Sequence, residues 1–128
     1  MKLNVMLIIS AIYMTLIGVG YLLSPEAMSA GAVPVGSALA LIAFLRHHAA
    51  LFIAIGVMNW VARNAEASTA RDAILLANII IYGLGAILDV LAVLSGAPTA
   101  GLVPATINLV MTIAFFSAWH KSRSIKTS

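Results

Sequence analysis

Four stretches of this chain stay apolar long enough to be read as helices crossing a bilayer: Leu3–Leu23, about 43–62, 73–95 and about 102–119. A helix needs about 20 such residues to traverse hydrocarbon, so four of them with short links consume nearly all of a 128-residue chain. No room remains for a separate soluble catalytic domain. With 62% hydrophobic and 9% charged residues, and a mean hydropathy of +1.09, the chain lacks the charge that dresses a water-soluble surface. The expected fold class is all-α, a four-transmembrane-helix bundle in a single integral membrane domain.

The first run, preceded by Lys2, could also be a signal peptide. Its length, its thin basic region and the absence of a clean small-x-small cleavage site favour a helix that stays. Ser24, Pro25 and Glu26 end it. The next segment, rich in small residues and containing Gly31, Pro34 and Gly36, is an external loop ending in a short interfacial helix or an early start to the second span. Within 43–62, Arg46, Ala49, Ile53, Gly56 and Trp60 share one stripe by helical spacing, and Gly56 on that stripe marks a face that meets another helix. An Ala11-xxx-Thr15 pair permits close contact on the first helix. The polar segment 63–72, RNAEASTARD, reads as a loop whose Ser68 to Asp72 portion offers an N-cap and an early acid for the third helix. Gly96 and Pro98 close that helix, and a basic tail follows Trp119.

Threading follows from charge. Four spans put the N-terminus, the loop between the second and third spans, and the C-terminus on one side, and that side holds Lys2, Arg63, Arg71, Lys121, Arg123 and Lys126, six of the seven basic residues. Both termini are expected to be cytoplasmic, with two helical hairpins implied and no sequence repeat between them.

The polar residues inside the spans are the candidates for a site. On the third span Asn78, Tyr82, Gly85 and Asp89 are spaced 4, 3 and 4 apart along one face, and an intramembrane acid usually faces a bundle interior or a wet cavity, often with a partner. Arg46 enters from the outer side at a matching depth. The expectation is an Arg46–Asp89 ion pair, either as a structural clip or as part of a ligand or ion site. Asn59 and Asn78 can hydrogen-bond between the second and third helices, and Asn108 and Thr112 lie one turn apart on the fourth. The candidate intramembrane polar or ligand site is thus Arg46, Asn78, Tyr82, Asp89 and Asn108.

Other chemistries find little to work with. There is no cysteine, which excludes disulfides, thiolate nucleophiles and iron–sulfur clusters. His47 and His48 are adjacent and diverge by about 100° on a helix, while His120 is expected at the opposite face, so one subunit offers no axial pair for haem. No paired carboxylates, nucleophile and base, or phosphate loop appear, and no cofactor is implied. The net charge of +3 is scattered between apolar segments and forms no nucleic-acid patch.

In size the chain resembles the small multidrug resistance transporters, but it lacks their glutamate in the first span, and the activity does not transfer. A second resemblance rests on Leu45 and Arg46 opening span two, on Ile55 and Gly56, on the run from Asn59 through Trp60, Val61, Ala62, Arg63 and Asn64 to Ala65, and on Arg71, Asp72, Ala73, Ile74, Leu75 and Leu76 opening span three. On these stretches the chain resembles uncharacterised bacterial four-helix membrane proteins related to the DoxX-like group, a resemblance that covers about half the chain. That resemblance implies a multi-pass fold in a bacterial inner membrane, with quinone-associated respiratory complexes as a context.

The function expected from the residues is non-enzymatic, a small structural or accessory subunit of a membrane assembly. Its partners are membrane lipid and either further copies of itself or a larger complex, with no nucleic acid. Two alternatives stay open: a small oligomeric transporter or channel using the polar face around Asp89, and a protein that binds a lipid or quinone in an outer-leaflet pocket.

Overall fold

A computed structural model describes residues 2–29 and 36–124, with side chains described as far as Lys121. The expected loop around Gly31 and Pro34, and Lys126 of the basic tail, lie outside the described residues. Helix α1 is Leu3–Leu23, the short α2 is Pro25–Met28, α3 is Leu39–Ala62, α4 is Thr69–Leu94, and α5 is Leu102–Ser124 after a 3-10 turn at Thr99–Gly101. Four of these helices are long and apolar enough to cross a membrane, and no strand occurs among the described residues.

The ends of the helices follow local chemistry. Ser68 caps α4, its Oγ accepting from the Arg71 amide at 3.2 Å, with Asp72 in the first turn, where a negative charge suits the helix dipole. Helix α4 therefore starts at Thr69, four residues before the apolar run does. Helix α3 likewise begins at Leu39, taking in Leu39 to Ile42 ahead of the expected start near 43. At the far end α5 does not stop at Trp119 but runs to Ser124. Lysine and arginine are good helix formers, and cations are favourable in a last turn. Gly96, at φ 102°, ends α4 in a conformation that costs glycine little.

The long helices run up and down as two hairpins, α1 along α3 and α4 along α5, and each hairpin touches the other sparingly. Close approach in the first hairpin is reciprocal. Gly56 of α3 lies against the Ala11 carbonyl and Thr15 of α1, and Gly18 of α1 lies against Ala49 and Ile53 of α3. A Cβ at Gly18 would sit 2.6 Å from Ile53 Cγ1 and 2.8 Å from the Ala49 carbonyl oxygen, so a larger residue must push the helices apart. The stripe that carries Ala49, Ile53 and Gly56 is thus the helix-facing one.

Where the hairpins meet, Met6, Leu7 and Met14 of α1, Ala62 of α3, Leu75 and Tyr82 of α4, and Met111 and Phe115 of α5 form one buried cluster. It reaches from the end that carries both termini, at Met6 and Ala62, to the middle of the bundle at Met14, Tyr82 and Met111. Outward faces are apolar on every long helix, with Leu16 65%, Val61 73%, Leu88 63% and Val103 62% exposed. A water-soluble monomer rarely exposes so continuous an apolar surface.

Candidate functional site

Two polar sites separate along α4. The first joins the hairpins inside the packed end, and is built from Ser10 of α1, Asn59 of α3, and Asn78 and Tyr82 of α4, each of them fully buried. Asn59 Nδ2 donates to Ser10 Oγ at 2.8 Å and to Asn78 Oδ1 at 2.9 Å. Asn78 Nδ2 donates to Asn59 Oδ1 at 2.8 Å and to the Ile74 carbonyl at 2.8 Å. Ser10 Oγ lies 2.7 Å from Tyr82 Oη and 3.3 Å from Asn78 Oδ1. If the tyrosine hydroxyl donates to Ser10, and Ser10 to Asn78, every proton on the four side chains has an acceptor. The network is then closed, the condition under which buried polar groups rigidify a core. The Tyr82 ring continues the link to α5, stacking on Phe115 with centroids 5.8 Å apart and 16° between planes, and it also packs near Tyr13 of α1.

The second site lies near the other end of α4. Asn108 Nδ2 of α5 donates to Asp89 Oδ2 at 3.0 Å, and Gly85, one turn before Asp89, leaves room for the Asn108 amide. Asp89 lines a 240 Å³ cleft whose walls come from both hairpins: Tyr21, Met28 and Ser29 on one side, with Val93, Pro98 and Pro104 among those on the other. Tyr21 is held by stacking on Phe52, centroids 6.1 Å apart. The short α2 brings Met28 and Ser29 back over this opening, secured by a 2.6 Å bond from Ser29 Oγ to the Pro25 carbonyl.

Of the five candidates from the sequence, the structure pairs Asn78 with Tyr82 in the closed network and Asp89 with Asn108 at the cleft. Arg46 joins neither. It is exposed on α3, and it makes no ion pair with Asp89, whose carboxylate is held by Asn108. The two residues can share a depth, as their spacing implies, but α3 is packed along α1 and meets α4 only sparingly. The Asn59–Asn78 hydrogen bond is present as expected, and in both directions. Thr112 gives its hydroxyl to the Asn108 carbonyl of its own helix at 2.8 Å, a local bond that needs no partner across the bundle.

Sequence reasoning missed Ser10 and Tyr21 as site residues. Ser10 sits among small residues that explain close packing without any hydrogen bond, and only its shared depth with Asn59 and Asn78 hints at more. Tyr21 looks like an interfacial aromatic. Of the histidines, His48 places Nδ1 3.0 Å from the Phe44 carbonyl and its ring against Phe44. No group of three or more His, Asp or Glu gathers as a metal site among the described residues. Comparison with protein-family models, with curated proteins and with solved structures gives no match.

Proposed function

We propose that this chain is a multi-pass protein of a bacterial cytoplasmic membrane, with both termini in the cytoplasm, acting non-enzymatically as a structural or accessory subunit of a membrane assembly. The observation that carries this reading is the closed network of Ser10, Asn59, Asn78 and Tyr82. The strongest polar cluster of the helices is engaged in holding two hairpins together, and the outward faces offer apolar surface to lipid or to a neighbouring helix. The grouping of Lys2, Arg63, Arg71 and Lys121 at the terminal end supports the orientation. The membrane and a respiratory context are proposed on the resemblance of the stretches between Leu45 and Leu76 to DoxX-like proteins.

A transport path along the whole Asn78 to Asp89 face is less favoured, because Asn78 and Tyr82 are sealed into the core. The cleft at Asp89 favours a second reading, a ligand-binding role for a lipid or quinone head.

Native mass spectrometry after gentle extraction from the protein's own membrane tests the accessory role. A hetero-complex of constant composition is expected. A monomer or homo-oligomer with no foreign chain contradicts it.

A further inference from the structure

We propose that the cleft at Asp89 binds the primary ammonium head of an amphiphile. The inference rests on the ligand-binding reading of this cleft and names the chemistry of its ligand. Asp89 is five residues from Leu94, the end of α4, so its carboxylate level is about 7 Å inside the helix end at ~1.5 Å per residue. In the bilayer orientation proposed above, that level falls near the boundary of head groups and acyl chains, into which the apolar faces of interfacial helices sink by about 5–10 Å.

The carboxylate is oriented but not neutralised. Asn108 holds one oxygen through a neutral amide, and neither Arg46 nor any other cation forms a salt bridge with Asp89 among the described residues. An acid at this depth without a counter-charge is costly and ordinarily has a partner. Here the space for one is present: the cleft opens beside the carboxylate, with the Tyr21 ring and Ser29 across from it. An ammonium group fits these surroundings in charge, in its three donors, and in its attraction to an aromatic face. At 240 Å³ the cleft is below the roughly 300–1,000 Å³ of pockets that enclose a drug-sized molecule. It suits a head group whose apolar remainder leaves along the exposed helix faces. A phosphoglycerol or quinone head brings no positive charge to Asp89.

The test uses the full chain in nanodiscs containing equal phosphatidylethanolamine and phosphatidylglycerol of matched acyl chains, with retained lipid counted by native mass spectrometry. Wild-type protein is expected to retain the ethanolamine lipid over the glycerol lipid by about tenfold, the fold-change one charge-assisted hydrogen bond supports. Asp89→Asn keeps the shape and can still accept from Asn108, and it should abolish that preference without lowering the melting temperature. Ala92→Phe, at the cleft wall, should reduce retention of both lipids. A second arm replaces all ethanolamine lipid by phosphatidylglycerol and adds n-octylammonium. Retention that depends on Asp89 there identifies a free amine as sufficient, and its absence assigns the site to the lipid. Equal retention of the two lipids, or an undiminished preference in Asp89→Asn, overturns the ammonium assignment. If Ala92→Phe nevertheless lowers retention, or a quinone is held instead, the ligand-binding reading survives without it. If nothing is retained, both fail.

Discussion

Each asparagine of the buried network donates to two acceptors and accepts from the other, so removing one leaves more than a lost contact. Asn78→Ala strands both an acceptor and a donor on Asn59, at a cost of about 1–3 kcal/mol for a buried group left unsatisfied. Tyr82→Phe removes one hydroxyl while Ser10 keeps other partners, and should cost close to the ~0.6 kcal/mol average, and no more than the ~1.7 kcal/mol maximum, seen for interhelical hydrogen bonds in membranes. In a double-mutant cycle, Asn59→Ala with Asn78→Ala should cost clearly less than the two single losses together. Additive losses, read from unfolding in mild detergent, contradict a shared network. Arg46→Ala should change stability by no more than about 0.5 kcal/mol, as expected of an exposed side chain without a partner. The Asn59 and Asn78 partnership was legible in the sequence because both lie toward the same ends of neighbouring helices. The proposed Arg46 and Asp89 partnership failed although it used the same reasoning. Depth follows from counting residues, but lateral placement depends on which helices pack closely.

At the scale of the elements, small residues decide that packing. Gly18 and Gly56 sit where α1 and α3 touch backbone to side chain, and valine at either position should destabilise the first hairpin by about 1–3 kcal/mol, the usual cost of overpacking. Gly83 is a control on the other hairpin. A Cβ there meets Thr112 at 3.6 Å, an ordinary contact, and Gly83→Ala should be neutral or mildly stabilising because alanine is the better helix former. A thermal melt in which Gly83→Ala loses as much as Gly56→Val contradicts this account of the interfaces. Four apolar helices were readable from the sequence because hydrophobic length is a one-dimensional property. Their ends were less so: α4 extends into the polar RNAEASTARD segment because Ser68 can cap it, and α5 continues through charged residues because those residues themselves favour helix. Hydropathy registers neither effect.

The molecule as a whole is a pair of hairpins fastened at one end and parted at the other. Hydrogen bonds and the cluster around Tyr82 and Phe115 hold together the half with the termini, as far as the middle of the bundle, while Asp89, Tyr21 and Ser29 border a cleft toward the opposite end. Antiparallel neighbours were readable from the sequence, since successive spans must cross in opposite directions, but link length does not select the pairing. Helix α1 packs along α3 across the long 24–38 segment, while α3 and α4, joined by the short 63–68 link, meet only sparingly. The polarity of the bundle was not readable. It arises because Asn78 and Asp89, on one face of one helix, belong to different sites, and spacing alone treats them as a single stripe.

The chain has no cysteine of its own, so single cysteines can report directly on this arrangement through a membrane-impermeant maleimide applied to spheroplasts. The account predicts that Ser29→Cys and Ala97→Cys label from outside, that Ala65→Cys labels only after permeabilisation, and that the buried Ala11→Cys and Ala62→Cys resist labelling under both conditions. Labelling of Ala65→Cys in intact spheroplasts contradicts the proposed orientation, and labelling of Ala62→Cys as fast as Ala97→Cys contradicts a bundle fastened at its terminal end.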